Sequence, residues 1–192
     1  MKTALVAIGF MGALALPPDF LTVPQTLDHL ATSERQFVAS IEGLTPEQWT
    51  FKPAADRWSI AECAQHILLS EPFIRSAAEG ALRGAATPSK VPDQRILALL
   101  VDRSRKFQSL EPLKPSGAPP VLAEVRSAFA AARAETVAFV RTHEKALRNS
   151  TALHPAFGQI DAQQWVLFLS GHTARHVAQI EEVKADPKFP KR

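Results

Sequence analysis

Residues 161–185 read DAQQWVLFLSGHTARHVAQIEEVKA. Asp161 followed three positions later by Gln164 is a helix-start signature, in which side-chain oxygens satisfy backbone N–H groups that have no partner in the first turn. Beyond it Trp165, Leu169, His172, His176, Ile180 and Val183 recur at spacings of three and four, the inward stripe of an amphipathic helix that runs to Ala185 before Pro187. A helix of that length with one apolar stripe must bury it against other helices. Two of the six stripe residues are histidines, which is unusual chemistry for a core.

The rest of the chain supplies the partners. From Thr22, the residues Leu27, Leu30, Glu34, Phe37, Val38 and Ile41 form one face of a helix of about five turns, ended at Gly43. Thr45-Pro46-Glu47-Gln48 predicts a capped single turn. After a loop through Pro53, the capping box Ser59-Ile60-Ala61-Glu62 opens a second long helix with Cys63, His66, Ile67, Ser70, Phe73, Ile74 and Ala77 along one side. Pro72 inside it predicts a kink or a lost hydrogen bond. Between Gly84 and Pro120 six prolines break the chain, with one helical pattern from Asp93 to Val101, and too few apolar residues remain for a separate core. Helicity resumes with Leu122, Val125, Phe129, Ala132, Arg133, Thr136, Val137 and Val140 and ends near His143; residues 154–158 read as a loop. The fold expected is all-α, a four-helix bundle with a long crossover between bundle helices 2 and 3.

His172 and His176 lie one turn apart on the same helix face and can reach one ion. Two imidazoles on a buried seam need partners, because an unpaired buried polar group costs about 1–3 kcal/mol. His66, near the inner face of the second long helix, is the third candidate, since bundle metal sites are assembled from facing helices. Three neutral imidazoles with an open position suit zinc, nickel or ferrous iron and can activate water or a thiol. The pattern alone also allows core histidines satisfied by carbonyls and water.

Composition bounds the alternatives. Among 192 residues, 22 Lys and Arg against 19 Asp and Glu leave a charge of +3, too small and too dispersed to suggest nucleic-acid binding. One Cys excludes an intramolecular disulfide framework and a Cys-rich zinc module. No Gly-rich phosphate loop and no nucleophile elbow occur. Residues 4–16 form an apolar run after Lys2, too short for a bilayer, which needs about 20 residues. With Ala13-Leu14-Ala15 as a small-x-small cleavage site, residues 1–18 read as an export signal, placing the mature chain in the periplasm or outside the cell. The other reading is a short helix packed on a cytoplasmic protein.

Taken together, WSIAECAQHI (residues 58–67) followed by Glu71, LTPEQW (residues 44–49) and HPAFGQIDAQQWVLFLSGHTARHVAQI (residues 154–180) resemble the signatures of the DinB-like superfamily, in the right order and over residues 22–188. The resemblance implies an up-down-down-up bundle, frequently a homodimer, with a divalent metal held by three histidines, here His66, His172 and His176. Some members are similar to thiol-dependent transferases and isomerases, others to metal-dependent hydrolases, and many have no known activity. Together with the imidazole chemistry, the expectation is a zinc or nickel enzyme, a hydrolase or transferase acting on a small-molecule substrate. The alternative is a non-catalytic metal-binding or stress-related bundle. Export would separate the chain from cytosolic thiol cosubstrates, and no other membrane association is expected.

Several neighbours have two readings. Glu34, on the apolar stripe of the first helix, either serves the metal site, as a catalytic base or as acceptor of a histidine N–H, or pairs with Arg133. Gln179 either supports the site or is a bundle-edge amide. Cys63 is either a fourth, site-closing ligand or a small buried residue. Trp58 and Trp165 are expected as core anchors, while His29, His143 and His154 lack partners at ligand spacing, and His154 belongs to a turn.

Overall fold

The computed structural model describes residues 19–191; the expected export signal, residues 1–18, lies outside the described residues. The elements are α1 (Val23–Ile41), α2 (Pro46–Thr50), α3 (Ile60–Leu82), α4 (Asp93–Val101), α5 (Leu122–Thr142), β1 (Thr151–His154), β2 (Gly158–Asp161) and α6 (Ala162–Lys184), with a 3-10 turn at Glu111–Leu113. Capping boxes open four of the helices: Thr22 with Gln25, Thr45 with Gln48, Ser59 with Glu62 and Asp161 with Gln164. Each pair satisfies donors at both the cap and the third helical residue. Helix α3 continues through Pro72, which is exposed; the expected interruption amounts to the one N–H that proline cannot donate.

Helices α1, α3, α5 and α6 form the bundle. Both α1 and α3 pack against α5 and α6. Near one end Gln163 of α6 donates to Thr26 of α1 at 2.8 Å. At the other, Ile180 and Val183 share a core with Phe37 and Ile41, so α1 and α6 run parallel. Ala64 and Ile67 of α3 lie in that core with Val125 and Phe129 of α5. Ala78 and Ala81 lie in the opposite core with Phe139 and Val140, so α3 and α5 also run parallel. The order is therefore up-down-down-up, with the crossover from α3 to α5 returning the chain to the end at which α3 began. On that crossover α4 packs along α6, and a Cβ at Gly171 would sit 2.6 Å from Leu100 Cδ1. No described helix is long and apolar enough to cross a membrane.

The two apolar cores are separated by a polar layer. Arg133 and Glu71, both 1% exposed, form a two-pronged ion pair there, at 2.8 and 3.0 Å. A second ion-pair group fixes the far end: Arg148 reaches Asp93 at 2.6 Å, Asp161 at 2.9 Å and the Leu21 carbonyl at 2.9 Å. It joins the chain before α1, the start of α4 and the cap of α6.

The stretch before α6 corrects one expectation. Residues 154–158 are not simply a loop, because β1 and β2 form an antiparallel hairpin with His154 opposite Gly158 and Thr151 opposite Asp161. Gly158 has φ +77°, a left-handed conformation that glycine supplies without strain. Strands of four residues are too short to show a convincing alternation.

Candidate metal centre

His66 projects from α3 one turn after the capping box, and His172 and His176 project from the middle of α6. Because α3 and α6 run antiparallel, the three rings meet. Their centroids are 5.0 Å (His66 to His172), 4.5 Å (His66 to His176) and 4.6 Å (His172 to His176) apart. One nitrogen from each ring lies within 4.8 Å of the other two, and Nε2 of His66 is 3.1 Å from Nε2 of His172.

The contacts on the far side of the rings set their tautomers. His66 Nδ1 is 2.7 Å from the Leu113 carbonyl, which can only accept, so Nδ1 carries the proton and Nε2 keeps its lone pair. His176 Nδ1 donates to Gln179 Oε1 at 3.0 Å, with the same consequence for its Nε2. Burial disfavours the cationic form of all three. The His66 pKa is lowered by desolvation, against the opposing pull of the Leu113 carbonyl. That of His172 falls to about 3 through desolvation, then the charges of His66 and Arg175. That of His176 is held well below the ordinary value by desolvation, then by its two partner imidazoles. His66 and His176 are thus neutral imidazoles with Nε2 lone pairs free and outer N–H groups held by carbonyl oxygens, which is the form of donor that divalent transition metals take, and His172 joins them as a third neutral ring. The residues present fit such an ion, and three ligands leave a position free in a tetrahedral shell.

The surroundings are aromatic. Trp58 stacks on His176 at 6.0 Å and leans against His66 at 5.0 Å, so this residue, expected as a core anchor, is a wall of the site. Phe168 stacks on His172 at 6.1 Å. Ser70 Oγ stands 3.5 Å from His66 Nε2. Arg175, beside His176, donates to the carbonyls of Leu100, Asp102 and Arg105 and stacks on Phe107, fastening the crossover alongside the site.

The other expected residues fall elsewhere. Glu34 is half-buried in a groove between α1 and α5, lined by Ala130, Arg133, Ala134, Val137 and Ala138, and its carboxylate is not part of the imidazole group. Nor is it the partner of Arg133, which is Glu71. Cys63 lies in the core, outside the group, and burial pushes its thiol up to about 12, so it remains protonated. Phe73, expected on the buried side of α3, is 46% exposed, and Glu71 takes the inward place. His154 is buried at the end of β1 among Phe157, Trp165 and Phe168, and its Nδ1 accepts from the Ala156 N–H at 3.0 Å. The Glu71–Arg133 pair was missed; its sequence signal was a glutamate and an arginine each set among apolar residues at core spacing.

A fold of this topology with three convergent histidines defines a helical bundle with a candidate metal centre. The model of the DinB superfamily matches residues 29–180, and the chain belongs to that superfamily. It is similar to the uncharacterized protein YuaE of Bacillus subtilis (strain 168), 24% identical over 144 residues that make up 75% of this chain and 88% of YuaE. Among solved structures it resembles YfiT from Bacillus subtilis, described as "a probable metal-dependent hydrolase with an unusual four-helix bundle topology". That likeness has a TM-score of 0.59 at 13% identity and covers 88% of this chain and 91% of YfiT. TT2238, a four-helix bundle protein, matches with a TM-score of 0.53 at 19% identity, over 84% of this chain and 99% of that one. At these identities the structural matches establish the fold.

Proposed function

We propose that this chain is a metal-dependent hydrolase of small molecules, using zinc or nickel held by His66, His172 and His176. The observation that carries the reading is the three-imidazole group, in which the outer N–H groups of His66 and His176 are held by carbonyl oxygens and their Nε2 atoms are left unprotonated. When bound, a divalent ion supplies Lewis acidity toward a water, thiol or carbonyl at the position the imidazoles leave free. The chain's own residues do the rest. Leu113 and Gln179 hold the outer ring protons of His66 and His176 and so fix the direction of the inner lone pairs. Trp58 and Phe168 flank the imidazoles and limit the access of bulk water. YfiT, which resembles this chain in fold, is described as "a probable metal-dependent hydrolase", and that description supports hydrolysis over other uses of the site.

Export by residues 1–18 belongs to the same reading, as does association into a homodimer. Removal from cytosolic thiols favours hydrolysis over thiol transfer. Terminal sequencing of the mature protein and its hydrodynamic size test these two points.

The catalytic reading is tested with cobalt(II)-loaded protein and azide. A visible spectrum that shifts on adding azide shows a replaceable ligand at the ion, as an enzyme requires. A spectrum indifferent to azide shows a closed shell and overturns catalysis in favour of a structural ion. Hydrolysis of small esters and amides by the zinc- and nickel-loaded forms, lost in His172→Ala, then identifies the reaction.

A further inference from the structure

Arg133 is fully buried in the middle of the bundle, and each of its five N–H groups is engaged. Nε donates to Glu71 Oε1 at 2.8 Å, and Nη1 to the Leu30 carbonyl at 2.8 Å and Ser33 Oγ at 3.0 Å. Nη2 is shared between Glu71 Oε2 at 3.0 Å and Thr173 Oγ1 at 3.1 Å. The Thr173 hydroxyl keeps its own proton on the Leu169 carbonyl at 3.2 Å, so toward Arg133 it is an acceptor. Thr136 completes the layer by donating to Glu71 Oε1 at 3.0 Å. One guanidinium on α5 thereby touches α1, α3 and α6.

The position of this layer bears on the imidazoles. Glu71 follows Ser70, whose hydroxyl faces His66 Nε2, and Thr173 follows His172. The two acceptors of Arg133 Nη2 are thus each in direct sequence with the residues of the candidate metal centre, one on α3 and one on α6. A rigid planar fork fixes its acceptors in distance and angle, as a flexible chain of apolar contacts does not. A buried ion pair is also an inefficient way to gain stability, since apolar residues of similar volume often serve as well or better.

We infer that Glu71, Arg133 and Thr173 are positioning residues of the metal site, with the Nη2 bridge setting the register between His66 on α3 and the histidine pair on α6. The inference rests on the metal-binding reading and assigns its geometry to a group that no imidazole touches. Thr173 is the informative residue, because it is the tie from Arg133 to α6. Thr136 belongs to the same layer and reaches only Glu71 and the Ala132 carbonyl.

The test compares cobalt(II) affinity and visible spectrum in the full chain and in Thr173→Val, Thr173→Ser and Thr136→Val. Both valine variants remove one hydroxyl at constant shape, and melting curves show whether each remains folded. The expected result for Thr173→Val is a loss of affinity of about tenfold, in the range typical of outer-shell partners of metal ligands, with a changed d–d band. Thr173→Ser restores the hydroxyl and the wild-type spectrum, and Thr136→Val stays within about twofold of wild type. Equal affinities in the two valine variants, or equal losses in both, overturn the inference and leave the metal centre standing. Failure of the wild-type chain to bind cobalt(II) overturns both.

Discussion

Nε2 of His66 lies 3.1 Å from Nε2 of His172, although the residues are 106 positions apart in the chain. Since the Leu113 carbonyl holds the His66 proton on Nδ1, this approach places an acceptor lone pair against the His172 ring rather than two like charges. The antiparallel run of α3 and α6 makes the meeting possible. The carbonyl of the crossover then orients one ring, and Gln179, one turn along α6, orients another.

Removing the Gln179 acceptor should therefore weaken the site without touching a ligand. Gln179→Leu is expected to lower zinc affinity by about tenfold or more, while Gln179→Glu, which still accepts from His176 Nδ1, retains it. Competition against a chromophoric chelator measures both, and an unchanged affinity in Gln179→Leu would show that the orientation of His176 is set elsewhere.

The polar layer makes an asymmetric prediction about stability. Arg133→Met leaves Glu71 buried without its cation, at a cost of about 3–5 kcal/mol near neutral pH. In the double variant Glu71→Leu with Arg133→Met the stranded charge is gone, and stability should return to within about 1 kcal/mol of wild type or exceed it. Urea unfolding of the metal-free proteins decides the matter. A double variant as unstable as the single one would mean that the pair itself, rather than its desolvation, sustains the fold.

Two glycines of one region should respond in opposite senses. A Cβ at Gly84 would stand 2.0 Å from the Thr151 carbonyl oxygen, where backbone on both sides is fixed by the bridge between Ala85 and Thr151. Gly84→Ala is expected to destabilise by about 3 kcal/mol or more. Gly80, inside α3, has nothing within 4 Å of its Cβ position, so Gly80→Ala should stabilise by about 0.5–1 kcal/mol through helix propensity. Thermal melts that ranked the pair the other way would contradict the close packing of the hairpin on the end of α3.

Acid sensitivity should carry a contribution from His154, away from the metal centre. Burial lowers its pKa to about 4, below the ordinary 6.5. The unfolded chain therefore binds a proton in that interval that the folded chain refuses. This part of the stability is complete above the ordinary value and is lost as pH falls toward 4, at about 1.4 kcal/mol per pH unit. His154→Phe should remove one proton's worth of slope from unfolding free energies measured between pH 5 and 6.5. An identical slope in the variant would show that His154 is protonated in the fold.

What could be read from the sequence follows from how local each signal was. Thr45, Ser59 and Asp161 announced their helices because a capping box is complete within four residues, while α1 and α4 emerged from their own periodicity. His172 and His176 were legible for the same reason, as neighbours on one helix face. His66 required an assumption about which helices face each other. The partner of Arg133 could not be read, because Glu34 was the acidic residue on an expected apolar stripe, Phe73 was expected inward on α3, and only the packing of α3 against α5 selects Glu71. The second walls of the site were equally hidden: the Leu113 carbonyl is backbone, and Trp58 reaches the rings from a loop before its helix.

The central claim is that His66, His172 and His176 together hold one divalent ion. Metal analysis of the purified, zinc-reconstituted chain beside His66→Ala, His172→Ala and His176→Ala tests it most directly. The account predicts about one ion per wild-type chain and a small fraction of that in each variant, with the proteins still folded by circular dichroism. Equal metal content in wild type and all three variants, or none in the wild type, would contradict it.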